Sequence, residues 1–238
     1  MNLVDLFGDF TVEWVVIVGS MLMLLVYEGY LLRVGRSAPM KVARTAHAEI
    51  RARWVMAILE RPGTEVLVIQ TLRNSVMAAS FMASTAVIAL TGTLTLSGLG
   101  NIENQLWHRT ALSGLQESGS LTATKLIMLG LIFFSSFMFS TMSVRFFNHA
   151  GYLITTEIGS EPRRRQSLAI TYLNRAGYQY SMGLRTFFMC IPFLASLFST
   201  WMMLPATVFL IVVLYQFDRI PVEWFEDRRT KIDASDAP

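Results

Sequence analysis

The chain has 238 residues, 53% of them hydrophobic and 16% charged, with a mean hydropathy of +0.46. Soluble proteins carry about 25% charged residues, so the balance excludes an ordinary soluble domain and indicates a membrane protein with its charges confined to loops. The net charge of +3 comes with no nucleic-acid recognition motif, so nucleic acid is not an expected partner.

Uncharged runs cover residues 74–102, 126–144 and 186–217, and residues 14–32 are interrupted only by Glu28. Each meets the roughly 20 apolar residues needed to cross about 30 Å of hydrocarbon. The pattern predicts an all-α integral membrane four-helix bundle with amphipathic cytoplasmic helices, as a single domain over residues 1–238. Spans are expected at about 13–33, 74–98, 125–147 and 186–217, with cytoplasmic segments 34–73 and 148–185 and an outer loop 99–124.

Orientation follows from Lys and Arg, which concentrate in cytoplasmic segments. Eight lie between the first two expected spans (Arg33, Arg36, Lys41, Arg44, Arg51, Arg53, Arg61, Arg73) and six between the last two (Arg145, Arg163, Arg164, Arg165, Arg175, Arg185). The middle loop has two, Arg109 and Lys125, the N-terminus none and the C-terminus four. This predicts an inner (cytoplasmic) membrane protein of bacterial type with both termini outside. The acidic start (Asp5, Asp9, Glu13) lacks the basic region of a secretory signal, so the first span is expected to stay in the mature protein.

In chain order, residues 3–10 read as an amphipathic lead along the outer interface. The first span ends in Tyr27-Glu28-Gly29-Tyr30, with tyrosines suited to an interfacial belt. Glu28 is the only acidic residue inside the uncharged core of any expected span, Glu13 standing at the outer edge of the first. A carboxylate at that depth costs about 2.5–3.5 kcal/mol or more unless paired, and an arginine from a neighbouring span is the expected partner.

Val42, Ala46, Ile50, Trp54 and Ile58 recur every four residues, an apolar stripe on a basic helix. Such a helix suits either an anionic lipid surface or the side of the bundle. Pro62-Gly63 ends it, and a new helix is expected from Thr64 unbroken into the second span, closed by Gly98 and Gly100. A short helix is expected around residues 102–115 of the outer loop, with His108 facing solvent. Ser160 as a cap with Pro162 at the first helical position starts the second cytoplasmic segment, whose stripe is Leu168, Tyr172, Ala176 and Tyr180. Pro192 and Pro205 are expected to kink or open the last span, and the polar tail ends in residues expected to be disordered.

Two hydroxyl stripes stand out. Arg73, Met77, Ser80, Ser84, Thr91 and Thr95 share one side of the second span beside an Ala79, Ala83, Ala86 stripe, and Ser136, Ser140 and Ser143 align on the third. Small and hydroxyl residues are the usual packing surface of membrane helices, and a hydrated path is the alternative. At the cytoplasmic edge, Arg73-Asn74, Arg145 with Asn148 and His149, Asn174-Arg175 and Arg185 come from three helices at similar expected depth. Guanidinium forks and amides so clustered suit an anion such as a lipid phosphate. The candidate anion or lipid site is therefore Arg73, Asn74, Arg145, Asn148, Arg175 and Arg185, with Glu28 as an ion-pair partner.

No catalytic constellation can be assembled. His149 is the one membrane-edge histidine and has no second axial ligand for haem; His47 and Glu49, two apart, cannot share a helix face for a metal. Paired carboxylates, Glu-x-x-His, phosphate-loop and dinucleotide patterns are missing. Cys190, the lone cysteine, reads as a small apolar residue. No cofactor is expected.

Three blocks resemble the domain of unknown function 599 family. Residues 72–85 carry Phe81-x-Ala83-Ser84-Thr85, residues 143–148 carry Arg145-x-x-Asn148, and residues 183–188 carry Gly183-x-Arg185. Ser181 departs from the asparagine frequent in the family. The resemblance implies a four-span integral membrane protein and supplies no activity. The expected function is a non-enzymatic, self-assembling or accessory membrane subunit with lipids as partners at its basic edge; the alternative is an oligomeric channel or transporter.

Overall fold

The computed structural model describes residues 3–37, 43–61, 63–98, 119–155 and 162–218. Its helices are α1 (Leu3–Ser37), α2 (Ala43–Leu59), α3 (Glu65–Gly98), α4 (Gly119–Thr155), α5 (Pro162–Phe188), α6 (Cys190–Phe198) and α7 (Met203–Asp218), with a 3₁₀ turn at Thr200–Met202. No strand occurs among the described residues, so the all-α expectation holds. The expected outer-loop helix, His108, the Ser160 cap and the polar tail lie outside the described residues.

Five stretches are long and apolar enough to cross a membrane: Val12–Gly35, Glu65–Thr95, Leu121–Thr155, Pro162–Phe198 and Thr200–Asp218. The extra one comes from residues 186–217, expected as one span. The helix breaks at Met189 and again at Ser199, which is extended at φ −162° and ψ 134°. Pro192 and Pro205 each fall in the first turn of the helix that follows, where a missing N–H is tolerated. α7 then folds back along α6, bringing Leu210 and Leu214 beside Phe188 and Ile191.

Residues 3–10, expected as a separate lead, are continuous with α1. α3 runs unbroken from Glu65, as expected, after a turn at Gly63. Gly63 has φ +84°, a left-handed conformation glycine adopts without a Cβ clash. The helices of 34–37 residues (α1, α3 and α4) are about 50–55 Å long at 1.5 Å per residue, well beyond the hydrocarbon thickness.

α3 packs along α4, α4 along α5 and α6, and α7 joins α6 to α1. Small residues bring the axes close. Ala79 and Ala86 of α3 are fully buried, and Gly183 of α5 is so close to α4 that a Cβ there would meet Ser140 Oγ at 2.8 Å. The α4 hydroxyl stripe is part of this seam: Ser136 donates to Gly183 O at 2.8 Å and Ser143 to Ala176 O at 2.9 Å.

One core cluster joins Val55 and Ile58 of α2 to Leu72, Phe147, Ala150, Leu173 and Ala176. α2 thus docks on the bundle, the second of its two expected settings. Its buried residues are Ala43, Ala46, Val55 and Ile58, while Ile50 is exposed. A strict four-residue repeat drifts about 40° per step around a 3.6-residue helix, so the stripe leaves the contact face. On α5 the buried face is likewise Ala169, Leu173, Ala176 and Gly183, and Leu168 is exposed.

Candidate functional site

The main polar site among the described residues centres on Arg185, near the end of α5. Its Nη1 and Nη2 donate to Asp218 Oδ1 and Oδ2 at 2.6 and 2.9 Å, and its Nε donates to Glu28 Oε1 at 3.1 Å. Tyr27 donates its hydroxyl to Asp218 Oδ2 at 2.6 Å. The Arg185 side chain is 6% exposed, Asp218 12% and Glu28 22%. One guanidinium thus ties α1, α5 and α7 together through two carboxylates. The expected pairing of Glu28 with an arginine is met, and Asp218 is a second partner missed in the sequence. An uncharged run of 32 residues with two prolines was the available signal, because one crossing needs only about 20.

Register gives the depth of this network. The Ser136–Gly183 and Ser143–Ala176 bonds define one antiparallel register, which sets Arg185 level with Phe134 and Asn174 level with Arg145. Ring contact between Phe133 and Phe187, at 5.6 Å between centroids, agrees. Arg185 therefore lies near the middle of the uncharged stretch 126–144, about 16 Å along α5 from Asn174 at 1.5 Å per residue. It does not share the edge with the other expected residues.

Arg73, Asn74, Arg145, Asn148 and Arg175 are all exposed, as is His149. They populate the edge of α3, α4 and α5, but no contact joins them into one cluster. Arg175 lines an open groove of ≈ 550 Å³ with Phe146, Thr171, Asn174, Tyr178 and Gln179.

Helix α2 brings other arginines to that region. Arg51 Nε donates to Asn174 Oδ1 at 3.1 Å, and its guanidinium rests where a Gly177 Cβ would stand, 2.6 Å from Cζ. Burial pulls the Arg51 pKa down from its ordinary value, yet a guanidinium stays charged at neutral pH. The Arg44 guanidinium stacks over the Tyr178 ring, 5.3 Å from its centroid.

At the opposite end, Lys125 is 2% exposed and donates to Ser196 O at 2.9 Å and Thr200 Oγ1 at 2.8 Å. It caps the end of α6, where helix carbonyls lack intrahelical partners. In the sequence it counts among the two basic residues of the middle loop, at the start of the expected span 125–147.

On α3 the two sequence stripes separate. The alanines face α4, whereas Arg73, Met77, Ser80, Ser84, Thr91 and Thr95 are all exposed. Thr91 and Thr95 donate to Val87 O and Thr91 O at 2.9 Å. Among the described residues, no group of three His, Cys, Asp or Glu side chains is placed to hold a metal. Cys190 is buried in the core with Phe193 and Met203.

No curated protein and no solved structure matches the chain. A family model does match, over residues 15–221, covering the Arg185 network and the α3 stripe alike. The chain belongs to the family described as "Protein of unknown function, DUF599".

Proposed function

We propose that the protein is a non-enzymatic integral membrane protein that crosses five times and self-assembles through the outward face of α3, with its basic edge against lipid headgroups. The observation that carries this is the exposed Ser80, Ser84, Thr91, Thr95 line on a helix otherwise rich in apolar residues. A helix surface meant only for lipid gains nothing from hydroxyls, whereas small and hydroxyl residues let a second helix approach closely and bond. Ser80 and Ser84 make no hydrogen bond within the described residues, and a partner helix would supply one.

Five crossings also suit the charges better than four. With α7 returning toward Arg185 from the Lys125 end, this reading assigns Arg219, Arg228, Arg229 and Lys231, which follow it in sequence, to the side of the two basic segments. Seventeen of the twenty Lys and Arg residues, all but Arg109, Lys125 and the mid-depth Arg185, then lie toward the cytoplasmic side, in keeping with the positive-inside bias. This reading moves the C-terminus from the outside, where four spans had put it, to the cytoplasm.

Disulfide trapping tests the interface. In a Cys190→Ala background, Ser84→Cys is expected to give a covalent dimer in native membranes, and Val208→Cys on the other flank is not. No dimer from cysteines at 80, 84 and 91 would remove the α3 interface.

The same hydroxyls support a second reading, a ring of copies with this line facing a hydrated path. Ion or anion flux through reconstituted vesicles, lost in Ser84→Leu, is its expected sign; trapped dimers without flux favour assembly alone.

A further inference from the structure

We propose that the seam between α2 and α5 is a binding site for a phosphate group, held by Arg51 and Arg44 of α2 at the groove beside Arg175. The two α2 arginines are seven residues apart, two helical turns, so both reach the same neighbour. Neither meets a carboxylate among the described residues, although Arg53 on the same helix does, pairing with Glu49 at 2.9 Å. Arg51 uses Nε on Asn174, leaving both of its terminal nitrogens without a hydrogen-bond partner there. Arg44 Nε is buried with no partner, and its Nη2 has only the Met182 sulfur at 3.7 Å.

A half-buried guanidinium without a counter-charge is costly, and a doubly hydrogen-bonded oxyanion is its natural complement. The seating is built rather than incidental. Gly177 leaves the space that the Arg51 guanidinium fills, and Tyr178 supplies a ring face for Arg44. Asn174 and Tyr178, the residues these arginines touch, also line the ≈ 550 Å³ groove with Arg175 and Gln179. Gln179 Oε1 is buried without a partner; amide orientation is interchangeable, so its NH₂ can be turned toward an anion.

Depth favours a lipid source. The α4–α5 register sets Asn174 level with Arg145, where the uncharged run 126–144 ends, which is headgroup level under the five-crossing reading. The lipid source rests on that reading, and the arginine site itself does not.

The test is a thermal-unfolding titration of the full chain in a neutral detergent. Dioleoylphosphatidylglycerol is added in one arm, and inorganic phosphate against sodium chloride of equal ionic strength in the other. A rise in Tm with either probe is expected. It should saturate, and half-saturation should weaken about tenfold or more in Arg51→Gln, as for lost charge-assisted hydrogen bonds. Arg53→Gln, away from the seam, should leave it unchanged. Gly177→Ala, which displaces Arg51 without altering charge, should weaken it too, and Arg175→Gln keeps the test open if the others do not fold. Protection by the lipid alone assigns a headgroup, and protection by inorganic phosphate alone assigns a soluble phosphate compound. No protection by either probe, or equal protection of wild type and the seam variants, overturns the site. Its failure would leave the disulfide-trapped α3 interface untouched.

Discussion

Arg185 donates two hydrogen bonds to Asp218, at 2.6 and 2.9 Å, across 33 residues of chain. That bidentate pair closes the hairpin made by α6 and α7. It sets the ends of α5 and α7 at one level, and Glu28 and Tyr27 attach α1 to the same point. Three helices are registered by one guanidinium.

Removing that guanidinium should be severe. Arg185→Gln leaves two carboxylates facing each other at low exposure, and loss of one partner from a buried pair costs about 3–5 kcal/mol. Glu28→Gln should cost less, because Arg185 keeps both bonds to Asp218. Unfolding in mixed detergent micelles checks this order; an Arg185→Gln protein with a wild-type midpoint would exclude the clasp.

Sidedness is open to direct labelling. In a Cys190→Ala background, Ser235→Cys should react with an impermeant maleimide only when the cytoplasmic face is opened. Ser113→Cys, in the segment between α3 and α4, should react from outside. Equal outside labelling of both sites would restore a four-crossing arrangement.

Close packing of α4 on α5 can be probed at Gly183. A Cβ there would meet Ser140 Oγ at 2.8 Å and Ser140 N at 3.3 Å, so Gly183→Ala should destabilise by about 1–3 kcal/mol through overpacking. Ser140 Oγ is buried without a partner, so Ser140→Ala alone should be nearly neutral and should relieve part of the Gly183→Ala loss. Strict additivity of the two changes would mean that the contact is not the cause.

His47 reports on the seam through its pKa. Desolvation, and then the Arg51 charge, hold it below its ordinary 6.5. Arg44 and Arg51 are its charged neighbours one helical turn away on α2. A folded pKa below the unfolded one means the unfolded chain binds the proton more readily. The His47 contribution to stability is then complete above pH 6.5 and falls as the pH drops below it. Arg51→Gln should raise the His47 pKa, measured by nuclear magnetic resonance of its ring; no change would separate the two side chains.

Much of the architecture was legible from composition and periodicity. Uncharged runs located the helices, Pro62-Gly63 marked the end of α2, and Glu28 announced a need for an arginine. Apolar length and the cost of a lone carboxylate act locally along the chain, so sequence carries them. The shift of buried faces to Val55 on α2 and Leu173 on α5 was less accessible, since a four-residue repeat cannot say where a 3.6-residue helix meets its neighbour.

By itself the sequence determined that this chain is helical, apolar enough to cross a membrane, and basic on one set of connections. Only the tertiary structure decided that residues 186–217 fold back on themselves, that Asp218 shares Arg185 with Glu28, and that Arg51 rather than Arg185 belongs to the basic edge. Helical spacing fixes which residues share a face. It does not fix the direction in which that face points, nor where a proline-interrupted run reverses, because both depend on which helix is packed alongside.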